Sequence, residues 1–285
     1  MVFVSTGGYS GRSADEVTDE LNQNNIFNVE LSGGKYKENL IQELEARKSS
    51  NNFRLHNYFP PPETPFVFNL ASPDETVATK SLKHVENAII LSARLDNTVF
   101  GFHAGFLMDP KPVELGKRIK SRQLYDREDC LNIFLERVNR LSDFAMHEGV
   151  ELLIENNVIS KNNFDEFGVN AFLMATPDEC EFVMKNTATN VNMLLDVAHL
   201  KVSANSLDFD PAIIFSQCKS WIKGYHLSDN CGKRDSNECV TDDSWFWQYI
   251  DNRIDYLTLE IYNVSIDIIK SQLELVKDKL NGSKK

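Results

Sequence analysis

Short runs of β-branched, aliphatic and aromatic residues, each bounded by polar or turn-forming clusters, recur along the whole chain. They are VFVST (2–6), IFNVEL (26–31), FRLHN (53–57), TVFGFH (98–103), VELLIE (150–155), VNMLLD (191–196), IKGYHL (222–227) and DYLTLEI (255–261). The stretches between them carry helical signals. After Asp126, the residues Leu131, Phe134, Val138, Leu141 and Phe144 recur at three- and four-residue spacing, and Gly149 follows as a stop. Ser72-Pro73-Asp74-Glu75 and Thr176-Pro177-Asp178-Glu179 each join a capping hydroxyl, a proline at the first helical position and a glutamate three residues on. Asp210-Pro211 starts a further helix. The strand runs are too apolar to be half exposed, and their alternation with helices implies a parallel sheet covered by helices. Eight such units predict an α/β chain folded as one (β/α)8 barrel over residues 1–285, with an open doubly wound sheet as the alternative. PPPETP (60–65) reads as a rigid loop rather than a linker, and the terminal NGSKK as a frayed tail.

Composition changes this picture little and narrows the function. The 285 residues are 42% hydrophobic and 25% charged, enough apolar material for a full core, which excludes disordered and fibrous classes. The formal charge of −12 argues against a general nucleic-acid binder, because phosphate neutralisation needs a surplus of Lys and Arg. The densest basic stretch, Lys117-Arg118-Ile119-Lys120-Ser121-Arg122, reads as a solvated helix face. The N-terminus lacks the basic start and apolar run of a signal peptide, and no apolar stretch approaches ~18 residues. A cytoplasmic protein without membrane attachment is expected. Cys130, Cys180, Cys218, Cys231 and Cys239 are odd in number and never form a C-x-x-C pair, so they read as reduced thiols.

The polar residues that end the strand runs carry the chemistry. His56 ends the third run, His103 the fourth, Glu155 the fifth, Asp196 the sixth and His226 the seventh, and Glu260 lies near the end of the eighth. In a barrel, the C-terminal ends of all strands converge on one face, so six ligand-type side chains point at one place. Histidine with carboxylate suits a divalent cation such as Zn, Mn, Co or Mg, and a cation also relieves the mutual repulsion of buried acids. Asp196-Val197-Ala198-His199 adds a histidine three residues past a strand-end carboxylate. Glu30 has two readings, binding a sugar hydroxyl at the barrel mouth or holding the first loop. Thr6-Gly7-Gly8 and Ser32-Gly33-Gly34 read as tight strand-to-helix connections, and Trp245-Phe246-Trp247 as packing, with a subunit contact in a homo-oligomer as the alternative. His84 and His147 fall within helical segments as exposed or partly buried structural residues.

In order and spacing, FRLHNYFPP, FGFHAGF, LLIENN, LLDVAHLKV, GYHLSDN and LTLEIY resemble the motifs of the xylose isomerase-like TIM-barrel superfamily, over about residues 26–262. That superfamily contains sugar isomerases, ketose 3-epimerases, inosose dehydratases and apurinic endonucleases. The resemblance implies a central metal held by Glu155, Asp196, His226 and Glu260. It matches His56 and His103 to residues that in the endonucleases bind a second zinc bridged by the same glutamate, and His199 to a ligand of a third. After the seventh strand the endonuclease-like pattern is an Asp-x-His pair followed by glycines; here Asp235 is present, Asn237 stands where the histidine would be, and the glycines are missing. That departure speaks against a third metal and against abasic-site cleavage.

The reading that follows is a divalent-metal-dependent isomerase or epimerase of a small sugar or sugar derivative, working by proton transfer through a metal-stabilised enediolate. Similarity to the epimerases implies Glu155 and Glu260 as the acid/base pair, with His199 orienting a substrate oxygen. Two alternatives remain open at this point. One is a metal-dependent phosphodiester hydrolase that uses His56, His103 and Asp235 for additional metals; the other is a catalytically silent metal-binding barrel.

Overall fold

The computed structural model describes residues 1–9 and 11–282. Its strands are β1 (Val2–Ser5), β2 (Asn28–Ser32), β3 (Asn52–His56), β4 (Val99–His103), β5 (Glu151–Glu155), β6 (Val191–Asp196), β7 (Ile222–Leu227) and β8 (Tyr256–Leu259). Each pairs in parallel with the next, and β1 closes on β8 through Val2–Leu257, Phe3–Thr258 and Val4–Leu259. The barrel is therefore closed, which excludes the open sheet. All eight hydrophobic runs contain a strand, because short, nearly continuous apolar runs are suited to parallel strands buried on both faces.

The helices are α1 (Ala14–Gln23), α2 (Leu40–Arg47), α3 (Glu75–Arg94), α4 (Arg127–His147), α5 (Lys161–Phe167), α6 (Pro177–Asn186), α7 (Val197–Leu207), α8 (Ala212–Gln217) and α9 (Ile266–Gly282). In α4 the expected stripe is realised: Phe134, Val138 and Leu141 are buried, each worth roughly 1.5–3 kcal/mol relative to exposure. Asp126 caps it by accepting from the amides of Glu128 and Asp129, and Gly149 takes the left-handed conformation (φ 71°) just past its end. Thr176 stands at the N-cap position of α6 with Pro177 first in the helix, but its hydroxyl caps no amide and Glu179 accepts from the Met174 amide instead.

Three expectations need correction. The cap of α3 is Asp74, whose carboxylate accepts from Thr76 and Val77 amides, whereas Ser72 instead accepts from the Asp74 amide and donates to Asp109. A carboxylate beside the helix start outcompetes the hydroxyl two residues earlier. The basic stretch after Gly116 is not a helix face. Pro110, Pro112 and Gly116 break the pattern, and Glu114 gathers the segment into a loop by accepting from the amides of Lys111 and Lys120. Asn281 and Gly282 continue α9 rather than fray, and the remainder of the expected tail, 283–285, lies outside the described residues. Between β7 and β8 the described residues contain no α-helix, only a 3-10 turn at Trp247–Tyr249. Trp245 there packs on Phe215 and Tyr249, so the aromatic run does pack, against α8.

Two cores result. Outward-facing strand residues such as Leu152, Ile154 and Leu195 join the helices in one large apolar cluster, while Leu153, Leu194 and Tyr256 form a small separate one inside the barrel. The rest of the barrel interior is mostly polar. Arg54 lies between the rings of Phe3 and Tyr256, 3.8 and 4.0 Å from their centroids. Gly224 makes room for this filling: a Cβ there would sit 2.8 Å from Leu194 Cδ1 and 2.9 Å from Tyr256 Cδ1. No helix among the described residues is long and apolar enough to cross a membrane.

Candidate metal centre and active site

Strand alternation puts the chemistry inside. In β5 the same pleat that points Leu153 into the barrel points Glu155 inward two residues later, and the same holds for Leu194 and Asp196 in β6. Pairing then sets neighbours side by side: His103 is opposite Glu155, and Asp196 is opposite His226. Ligating atoms of Glu155, Asp196, His226 and Glu260 all lie within 4.8 Å of one another, and all four residues are buried.

Three buried atoms in this cluster have no hydrogen-bond partner: Glu155 Oε1, Asp196 Oδ2 and His226 Nδ1. His226 Nδ1 is 2.9 Å from Glu155 Oε1 and 2.9 Å from Glu260 Oε2, close enough to share one cation but aligned with neither oxygen. Orphaned acceptors at this depth are costly unless something positive joins them. The donor set of three carboxylates and one imidazole, with its converging unpartnered atoms, thus fits a divalent cation.

The electrostatics show the same need. Burial alone would raise the Glu155 pKa, but the imidazoles of His103, His56 and His226 outweigh it and hold the carboxyl well below its ordinary value. Glu260 behaves alike: burial opposes ionisation, His226 overcomes it, and the carboxyl is held near about 2. Asp196 has fewer cationic neighbours. Burial, reinforced by the charges of Glu155, Asp235 and Glu260 against His199, raises it to about 7. It is the acid of the cluster most in want of a counter-charge.

Around this centre the remaining expected residues divide. His56 Nε2 is 2.8 Å and His103 Nε2 3.1 Å from Glu155 Oε2, making a second three-residue cluster on the opposite oxygen of the same glutamate. His199 donates from Nδ1 to the Asn156 carbonyl (3.0 Å), so its Nε2 faces Asp235 Oδ2 at 3.2 Å and Asp196 Oδ2 at 3.7 Å. No third ligand completes a site with His199 and Asp235 among the described residues. Asn237 is buried with φ 46°, and its carbonyl accepts from the Tyr262 amide.

Glu30 is neither at the mouth nor on the first loop. It is wholly buried beneath His226, and its carboxylate accepts from Tyr256 Oη (2.7 Å), Thr258 Oγ1 (2.8 Å) and His226 Nε2 (3.2 Å). The inward pleat of β2 places it one layer below the ligands, so it holds the ring whose Nδ1 faces the cluster. His84 is also fully buried rather than exposed, stacked on Tyr58 at 5.2 Å and donating to the Asn57 carbonyl. His147 is exposed, as expected.

Three contributors were given no role by the sequence reading, although they stand in the motifs LLIENN and LTLEIY. Tyr262 donates to Glu260 Oε1 at 2.7 Å, and a Cβ on Gly7 would fall 2.5 Å from its hydroxyl, so the Thr6-Gly7-Gly8 turn exists to admit this ring. Asn156 accepts from the Asp196 amide (2.8 Å) and donates to its carbonyl (3.1 Å) while fixing the His199 tautomer. Asn157 donates to the carbonyls of Ala104, Gly105 and Leu173, tying together the loops at the mouth. The doublet after Glu155 was visible in LLIENN, but its bonds depend on loops from other strands.

Above the centre opens a cavity of about 570 Å3, with His103, His199, Asp235, Glu260 and Tyr262 among its lining residues. Glu260 faces it directly, whereas Glu155 lies behind, with Oε2 engaged by the two histidines and Oε1 free.

Comparison with known proteins agrees with this fold. Among solved structures, a D-tagatose 3-epimerase-like protein superposes with a TM-score of 0.73 at 17% identity, covering 98% of this chain and 97% of that one. A D-psicose 3-epimerase from Clostridium cellulolyticum H10, solved with D-tagatose, has a TM-score of 0.64 at 14% identity, covering 99% and 91%. The 3-keto-D-glucoside 4-epimerase YcjR from E. coli has 0.65 at 13% identity, covering 98% of each. At such identities the likeness speaks for the fold alone. A search of curated proteins finds no match. The family model for the xylose isomerase-like TIM barrel, however, matches residues 19–261, most of the chain, and the protein belongs to that family.

Proposed function

We propose that this protein is a divalent-metal-dependent epimerase or isomerase of a small sugar derivative. The observation that carries the reading is the set of converging, unpartnered ligand atoms of Glu155, Asp196 and His226, joined by Glu260 at the floor of a ligand-sized cavity. All four central residues are in place, which favours an enzyme over a silent barrel. Structural neighbours that carry the names of sugar 3- and 4-epimerases support the reaction class.

A divalent cation held by Glu155, Asp196, His226 and Glu260 supplies polarisation of a keto oxygen and neutralises the charge that develops there. The chain's own residues do the rest. Glu260, ionised at neutral pH and facing the cavity, removes a proton from the carbon beside the carbonyl. Tyr262 Oη, donating to Glu260 Oε1, fixes that carboxylate's orientation. Glu155, implied as the second proton-transfer group by the family resemblance, lies behind the cavity lining, so a substrate meets its Oε1 only at the cation site itself. His199 presents Nε2 to the cavity, with Asp235 beside it, and orients a substrate oxygen.

The test is solvent exchange. Protein loaded with Mn, Co, Mg or Zn and incubated with keto-sugars in D2O incorporates deuterium beside the carbonyl, and Glu155→Gln and Glu260→Gln each cut the rate at least ~100-fold. Exchange that survives either substitution, or its absence with every keto-sugar tried, contradicts the assignment. One observation favours a second reading, phosphodiester hydrolysis: the His56–His103–Glu155 cluster, which a single-metal reaction does not require. Hydrolysis of bis(p-nitrophenyl) phosphate, lost in His56→Ala/His103→Ala, distinguishes it.

A further inference from the structure

The cavity is too large and too mixed in character for a free sugar. A hexose, with about a dozen non-hydrogen atoms, fills on the order of 200 Å3 at interior packing density. The cavity measures about 570 Å3. Beside the polar groups near the cluster, Tyr58, Phe66, Phe68, Phe106, Leu115 and Phe172 give the lining a large apolar, mostly aromatic share. A sugar's hydroxyls gain little from such a lining, whereas a planar ring stacks on it.

The lining also carries charge of both signs. The chain carries 42 acids and 30 Lys and Arg, yet Asp235 and Glu260 are the acids that line the cavity, both at the floor. Lys117, Arg118 and Arg234 line it as well. Arg118 is paired with Glu166, but Lys117 and Arg234 make no ion pair or side-chain hydrogen bond among the described residues. In a protein of net charge −12, two cations of this lining that no acid pairs are available to an anionic group of a ligand. The walls are held before any ligand arrives. Asn69 donates to the carbonyls of Phe106 and Met108 and accepts from the Phe106 amide, locking the loop after β3 to the loop after β4.

We propose that the substrate is a keto-sugar whose anomeric carbon is joined through phosphate to an aromatic group, the chemistry of a nucleoside-diphosphate keto-sugar. This rests on the epimerase or isomerase reading above. Such a molecule has roughly three times the atoms of a hexose and fills on the order of 600 Å3 by the same packing measure, comparable to the whole cavity of about 570 Å3. The sugar meets the floor, the diphosphate meets Lys117 and Arg234, and the base lies on the aromatic lining. With the anomeric carbon substituted, the reacting carbonyl is a ring ketone. Glu260 takes the proton from the adjacent carbon, the electron pair moves onto the keto oxygen, and a proton returns to that carbon. The phosphate linkage is untouched, and no oxidant or reductant is consumed.

Two measurements test this together. Calorimetric titration of chelator-stripped protein with UDP, dTDP, GDP and ADP separates the cation contacts from any metal-bound phosphate. At least one nucleoside diphosphate binds with Kd below ~1 mM. Lys117→Ala/Arg234→Ala weakens it about tenfold or more, as expected for loss of charge-assisted contacts, and leaves metal content unchanged. Metal-loaded protein then incorporates deuterium into a nucleoside-diphosphate 4-keto-6-deoxyhexose in D2O. If no nucleoside diphosphate binds while a free ketose exchanges deuterium, the substrate class is wrong and the reaction reading stands. Binding that ignores the Lys117/Arg234 substitutions overturns the proposal too. Exchange into neither kind of keto-sugar removes the reaction reading and this inference with it.

Discussion

Glu30 offers a sharp test because it touches no cavity and yet controls the centre. Its carboxylate accepts from His226 Nε2, which directs Nδ1 at the ligand-type atoms of Glu155 and Glu260. Burial would raise the Glu30 pKa, but the charge of His226 and its hydrogen bond reverse this, so the group is ionised. Glu30→Gln keeps the shape and an acceptor while removing the charge that makes the imidazole basic. Loss of such an outer partner typically costs ~10–100-fold in metal affinity, or about 1.4–2.8 kcal/mol. The hydroxyls of Tyr256 and Thr258 can rotate to suit the amide, so folding survives. Tyr256→Phe is the control: it removes one neutral donor from the same carboxylate at about 1 kcal/mol of stability and leaves the His226 contact intact. The assay is competition of Mn or Zn against a chromophoric chelator, with circular dichroism to confirm the fold. Equal affinity in wild type and Glu30→Gln, both folded, would refute the role given to Glu30.

Other consequences follow from particular contacts. Burial lowers the His84 pKa from 6.5 to about 4, only partly offset by its bond to the Asn57 carbonyl. The folded state therefore favours neutral His84, and its contribution is complete above pH 6.5 and lost as pH falls toward 4, by about 3 kcal/mol. His84→Phe, which keeps the stack on Tyr58, should flatten this part of the urea-unfolding profile between pH 7 and 4; an unchanged slope would show that another group is responsible. Gly224→Ala puts a methyl within 2.8 Å of Leu194 Cδ1, and overpacking of this kind costs ~1–3 kcal/mol. Equilibrium denaturation measures it, and a neutral result would mean that the barrel interior yields more easily than its close contacts imply.

The barrel was legible because each strand is a contiguous apolar run and several helices carry their own start signal, both of which act within a few residues. The candidate cluster was legible for a related reason: strand ends are fixed points, so His56, His103, Glu155, Asp196, His226 and Glu260 could be placed on one face before any distance was known, while the choice of four of them as a metal set rested on the family resemblance. What escaped depended on contacts between distant segments. Glu30 stands two residues before the end of β2, and only the shear of the closed barrel brings it under His226. Lys117 and Arg118 read as a solvated helix because the loop that turns them over the cavity is held by Glu114 and Asn163, through bonds that local composition does not encode. His84 carried no mark of burial, since its aromatic surroundings come from the loop after β3.

The central claim is that one cation is shared by four strand-end residues, with His56 and His103 outside that set. Elemental mass spectrometry of protein supplied with Mn, Co, Mg and Zn, then desalted, tests it on wild type, His226→Gln and His56→Ala/His103→Ala. Wild type should hold at least one divalent ion per chain, His226→Gln should lose it, and the double variant should keep one. A chain that binds no ion, or keeps its ions in His226→Gln but loses all of them in His56→Ala/His103→Ala, would place the metal chemistry elsewhere and contradict the site described above.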